Sequence, residues 1–157
     1  LADRITAEAE EVTGIGGIGS SILIAIRSEP GLLIEHLAKQ QNKSQSTIVR
    51  AIQQLEQRKL VAKRAGSDRR TMQLILTESG TACAESILNA REALITNALT
   101  PLTGTQRSQL ERMVETILVD LVHHPKDAYP MCRLCREECC GDDLDCPVER
   151  GAASKER

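Results

Sequence analysis

The chain has 157 residues, 41% of them hydrophobic and 27% charged, with a formal charge of −2. That hydrophobic fraction excludes a disordered chain, and the length suits one domain with a sizeable core, or one domain plus a small appendage. Aromatic residues make up 1%, the single Tyr129 without Phe or Trp, so the core leans to helices of Leu, Ile, Val, Ala and Met. The same shortage leaves no stacking platform for a single-stranded nucleic acid.

Leu1 to Val12 reads as a helix, broken by Gly14-Ile15-Gly16-Gly17-Ile18-Gly19. Gly14, Gly16 and Gly19 spell G-x-G-x-x-G, but a dinucleotide fingerprint needs a preceding strand and a βαβ unit. Neither is present in the pattern, so the glycines read as a flexible junction between helices. Ser20 is placed as the cap of a helix over Ser21 to Ser28, which Glu29-Pro30-Gly31 ends. Leu32 to Gln41 begins another helix, with Leu33, Ile34, Leu37 and Ala38 apolar. A turn at Asn42-Lys43 leads to a Ser44-capped helix running to about Lys59.

Two strands follow, Leu60 to Ala65 and Thr71 to Thr77, joined by the polar, turn-rich Gly66-Ser67-Asp68-Arg69. Glu78 to about Leu99 is a long helix, in which Cys83 reads as a small buried hydrophobe. Thr100-Pro101-Leu102-Thr103 interrupts it. A further helix spans about Gln106 to Val122, with Leu110, Met113, Val114, Ile117, Leu118 and Leu121 at helical spacing. His123-His124-Pro125 stops it, the histidines reading as surface groups at a helix end.

Charge is unevenly spread. From Lys39 to Arg70 nine bases face two acids, a net +7, so the rest of the chain carries −9. A basic block in an acidic chain points to an anionic partner, and nucleic acid fits best. No basic leader or bilayer-length apolar run is legible, so the expected location is the cytoplasm, away from membranes.

Helix, tight turn, capped helix and basic hairpin form the layout of a winged helix-turn-helix. Ile48, Ala51, Ile52 and Leu55 share one face of the second helix and can pack on Leu33, Leu37 and Ala38. The other face offers Gln45, Ser46, Val49, Arg50, Gln53 and Gln54, largely without acids. Such a helix can enter the major groove, with Ser44 or Thr47 on phosphates. Arg69 and Arg70, at the hairpin tip, suit a narrow minor groove.

Leu37-Ala38, Asn42-Lys43-Ser44-Gln45-Ser46-Thr47-Ile48-Val49-Arg50, Leu55-Glu56, Leu60-Val61, Asp68-Arg69-Arg70 and Leu76-Thr77-Glu78-Ser79-Gly80 together resemble the MarR family of bacterial regulators. The resemblance covers about Ser20 to Leu121. It implies a homodimer built on the terminal helices, bound to a pseudopalindromic operator in double-stranded DNA and answering to a small effector or oxidation. It places the recognition helix at Ser44 to Arg50, has Asp68 order the wing, and puts Arg69 or Arg70 on DNA. Asn42 and Lys59 stand where the family commonly has Gly.

Cys132-x2-Cys135-x4-Cys140-x5-Cys146-Pro147, with Cys139 adjacent, gathers soft ligands in an acidic tail that can bury little apolar area. Tetrahedral thiolate coordination orders such segments. The expected ligands are Cys132, Cys135, Cys140 and Cys146, and the expected cofactor is zinc; an iron–sulfur cluster or metal-free thiols are the alternatives. The tail is similar to the Cys-Arg-Leu-Cys and Cys-Pro-Val tail of a subset of MarR-like regulators.

The sequence thus implies a mainly α fold, a winged helix-turn-helix with a two-stranded wing and long dimerisation helices. Its parts are N-terminal helices over 1–30, the DNA-binding region over 31–77, dimerisation helices over 78–124, a Cys-rich metal-binding tail over 125–150 and a disordered end over 151–157. The expected function is transcriptional regulation without catalysis. A protein–protein adaptor docking through the tail is the alternative. A thiol oxidoreductase using Cys132 and Cys135 is the other, but its C-x-x-C lacks the βαβ setting such motifs use.

Overall fold

A computed structural model describes residues 4, 7, 10–11, 14–66, 72–132, 135–136 and 146–155. They form helices α1 (Ile18–Ser28), α2 (Ile34–Gln40) and α3 (Gln45–Gln57), strands β1 (Val61–Ala65) and β2 (Met72–Leu76), then α4 (Glu78–Leu99) and α5 (Gly104–Leu121). A 3-10 turn at Pro125–Asp127, α6 (Ala128–Cys132) and α7 (Pro147–Lys155) complete the order. Arg4, Ala7, Glu10 and Glu11 are helical too. No helix among the described residues is long and apolar enough to cross a membrane.

The described residues group in two compact units. One comprises those up to Glu92 together with Cys135; the other comprises Ala93–Cys132 together with those from Arg136 on.

The first unit is built around α1. Ile22, Leu23, Ile24 and Ile26 are all fully buried, so apolar residues surround this helix on almost every side. Helix α1 is therefore the hub of the first unit's core. Arg27, near its end, places both Nε and Nη2 on Glu85 Oε1 of α4 at 2.6 Å. Its start differs from expectation: the cap is Gly17, with φ of 59°, and Ser20 lies inside the helix with Oγ donating to the Ile15 carbonyl at 2.9 Å. The glycines do make a junction. Gly14 takes φ of 62° and donates to the Glu10 carbonyl at 2.7 Å, ending the helix before it.

Strands β1 and β2 pair antiparallel, Val61 opposite Leu76 and Ala65 opposite Met72. Leu32 and Leu33 belong to this sheet and not to the helix predicted from Leu32. Leu33 bridges Gln73, Gly31 N–H donates to the Leu74 carbonyl at 2.9 Å, and Leu74 N–H donates to the Leu32 carbonyl at 3.1 Å. The hairpin thereby gains a partner for its open edge, next to the first helix of the turn motif.

In the second unit Thr103 and Gln106 form a reciprocal capping box, which starts α5 two residues earlier than predicted. Of the disordered end expected over 151–157, residues 151–155 are instead helical in α7, which runs through Lys155 with Val148 and Gly151 buried, and the last two lie outside the described residues. Pro147 occupies the first helical position, where its missing N–H costs nothing.

Candidate nucleic-acid interface

Helix α2 ends in a tight left-handed turn. Asn42 holds φ of 49°, its N–H donates to the Lys39 carbonyl at 3.1 Å, and Lys43 N–H donates to the Ala38 carbonyl at 3.0 Å. This is the geometry that usually selects Gly; Asn tolerates it because its short polar side chain does. The turn is tied inward by a buried bond from Ser21 Oγ on α1 to Gln41 Oε1 at 2.8 Å, a contact the sequence reading did not single out.

Ser44 then caps α3. Its Oγ accepts from Thr47 N–H at 3.3 Å and lies 2.8 Å from Thr47 Oγ1 and 3.0 Å from Ser46 Oγ. Ile48, Ala51, Ile52 and Leu55 are buried as expected, and they pack with Leu37 and Ala38 of α2 in one core. Their burial turns Gln45, Ser46, Thr47, Arg50, Gln53 and Gln54 to solvent, with Val49 half-buried. The first turn of α3 contains no acid, so the positive end of the helix dipole is unopposed. An open groove of about 460 Å³ runs along this end, lined among others by Lys39, Asn42, Lys43, Ser44 and Gln45.

The far end of α3 repeats the left-handed motif. Lys59 holds φ of 58°, its N–H donates to the Glu56 carbonyl at 2.9 Å, and Leu60 N–H donates to the Leu55 carbonyl at 2.9 Å. Lys63 and Arg64 are exposed on β1, and Lys63 Nζ lies 2.8 Å from Glu56 Oε2. Asp68, Arg69 and Arg70, expected at the wing tip, lie outside the described residues.

Thr77 and Gly80 join this head to α4, and neither was expected to act. Thr77 Oγ1 donates to the Lys59 carbonyl at 2.7 Å and accepts from Gly80 N–H at 3.0 Å. A side chain at Gly80 would overlap the Leu60 carbonyl. The signal was present in Leu76-Thr77-Glu78-Ser79-Gly80, but the close approach that explains it depends on the fold.

Of the expected metal ligands, Cys132 ends α6, Cys135 follows it, and Cys146 immediately precedes α7; all three are half-buried. Cys139 and Cys140 lie outside the described residues. Among the described residues no group of three or more His, Cys, Asp or Glu side chains is placed to hold a metal ion, so they do not assemble a site by themselves. His123 and His124 are exposed. His124 N–H donates to Asp127 Oδ2 at 2.9 Å and His124 Nδ1 accepts from Lys126 N–H at 3.3 Å, a turn that ends α5. Cys83 is half-buried and packed on the core of the first unit.

A model of the MarR family matches residues 13–71. No curated protein matches the chain. Among solved structures, YusO of Bacillus subtilis is 24% identical, with a TM-score of 0.65 over 73% of this chain and 84% of its own. MepR, a transcription regulator of the Staphylococcus aureus multidrug efflux pump MepA, is 18% identical, with a TM-score of 0.68 over 76% of this chain and 88% of its own. A MepR mutant bound to an oligodeoxyribonucleotide has a TM-score of 0.58 at 19% identity, over 76% of this chain and 88% of its own. Apo MarR of E. coli is 21% identical, with a TM-score of 0.66 over 74% of this chain and 87% of its own. The chain shares their winged-helix fold.

Proposed function

We propose that the chain is a MarR-type transcriptional regulator that binds double-stranded DNA as a homodimer. The observation that carries this reading is the outward face of α3. Ser44, Gln45, Ser46, Thr47 and Arg50 are exposed and acid-free in the first turn, while the opposite face is locked into the core. Hydrogen-bonding side chains at the positive end of a fixed helix suit base edges and phosphates. The match of residues 13–71 to the MarR family and the DNA-bound state of a MepR mutant support the same reading. In it, Arg69 and Arg70 reach the adjacent minor groove.

The dimer is supported by α5, which buries none of its residues and leaves Leu110, Met113, Val114, Ile117 and Leu121 exposed by 37–59% along one face. A row of that length in water calls for a second copy. Two recognition helices related by a twofold axis then read an inverted repeat. Selection from a random duplex pool tests this: half-sites about one helical turn apart are expected, and no enrichment over the pool contradicts it.

We infer that the tail holds zinc through Cys132, Cys135, Cys140 and Cys146. The donor chemistry supports it, since four thiolates satisfy a tetrahedral site and order a segment too polar to bury itself. Protein purified without oxygen tests this through metal and sulfide content. About one zinc per chain without sulfide is expected; iron with sulfide would make the site a cluster, and no metal would leave thiols alone.

A further inference from the structure

Helix α7 is packed against α5, against the 3-10 turn and against α6. It meets α5 at Glu115, Val119 and Val122, spaced four and three apart and therefore on one face. Val122 and Val148 are buried, and Arg150 Nη2 lies 3.5 Å from Glu115 Oε2. Helical periodicity puts that face away from the exposed row of Leu110, Met113, Val114, Ile117 and Leu121. One side of α5 is covered by its own chain while the other stays open.

Gly151 is the residue that makes the packing possible. It sits in the middle of a nine-residue helix, where glycine is a poor helix former. A Cβ at this position would lie 2.7 Å from the Val119 carbonyl oxygen and 3.0 Å from Val122 Cβ. The sequence thus gives up helix propensity to bring two backbones together. A helix this short is not stable alone in water, so α7 depends on its seat. Cys146 immediately precedes α7 and its carbonyl accepts from Arg150 N–H at 3.0 Å, so a cysteine stands at the base of the packed helix.

We propose that α7 is an intramolecular clasp for the dimer helix. Closed, it braces the rear of α5 at Glu115, Val119 and Val122 and holds the apolar row in register for the second copy. Released, it lets the end of α5 fray and weakens pairing. This rests on the dimer reading above.

The test is Gly151→Ala in the full chain. Alanine is the better helix former, so propensity alone predicts a firmer α7 and an unchanged or tighter dimer. The clasp predicts the opposite: hydrogen exchange at Val119–Val122 and Ala152–Lys155 accelerates, and the dimer dissociation constant measured by sedimentation rises about tenfold. Unchanged exchange overturns the clasp, and faster exchange with an unchanged dimer overturns its bracing role. Should the Ala variant not fold, Val148→Ala adds no atoms and carries the same comparison in the same direction. A wild type that stays monomeric overturns the dimer reading, and it shows before any substitution is made.

Discussion

The Thr77 hydroxyl donates to the carbonyl of Lys59 at 2.7 Å, and Lys59 holds a φ of 58°. The end of α3 is thus pinned to the first residues of α4, because the same oxygen accepts from Gly80 N–H. Replacing Thr77 by Val keeps the shape and removes the hydroxyl's bonds to the Lys59 and Leu60 carbonyls and from Gly80, leaving the Gly80 N–H unpaired. A loss of about 1–3 kcal/mol in urea denaturation is expected, with Thr77→Ser retaining most of the stability.

Lys59 itself strains the backbone, since a side chain in the left-handed region crowds its own carbonyl. Lys59→Gly should stabilise the fold by about 1 kcal/mol and weaken DNA binding by removing one cation. A destabilised variant would show that the Lys59 stem contributes packing that outweighs the strain.

The helix-turn-helix was legible because its rules are local. Ser44 caps, Ile48, Ala51, Ile52 and Leu55 recur at helical spacing, and Asn42 marks the turn. What escaped notice depends on tertiary packing. Leu32 and Leu33 look like the start of a helix, yet the open edge beside Gln73 and Leu74 draws them into the sheet. Ser20 looks like a cap, but Gly17 alone adopts the backbone that the entry to α1 requires. Gly151 reads as the start of a disordered end until Val119 is placed beneath it. The tail cysteines were visible as a spacing, and spacing alone does not say which thiols meet.

Arg50 is exposed on the outward face of α3, one turn beyond Ser46. Arg50→Ala should weaken binding to the selected operator by about 1–3 kcal/mol while leaving the dimer intact. An equal loss on random duplex would reassign Arg50 from base edge to phosphate.

Ile117 lies near the middle of the open row on α5 and is 56% exposed. Ile117→Asp should leave the folded chain intact and convert the dimer to monomer in sedimentation, since a desolvated carboxylate without a partner costs several kcal/mol, about the scale of the pairing energy. A dimer of unchanged strength would move the interface elsewhere.

The most direct measurement is the salt dependence of binding to duplex DNA. With about eight phosphates neutralised by the two heads, the logarithm of the association constant should fall with the logarithm of salt concentration at a slope of roughly −7. A slope near zero between low and moderate salt would contradict the assignment of α3 and the basic wing as a nucleic-acid interface.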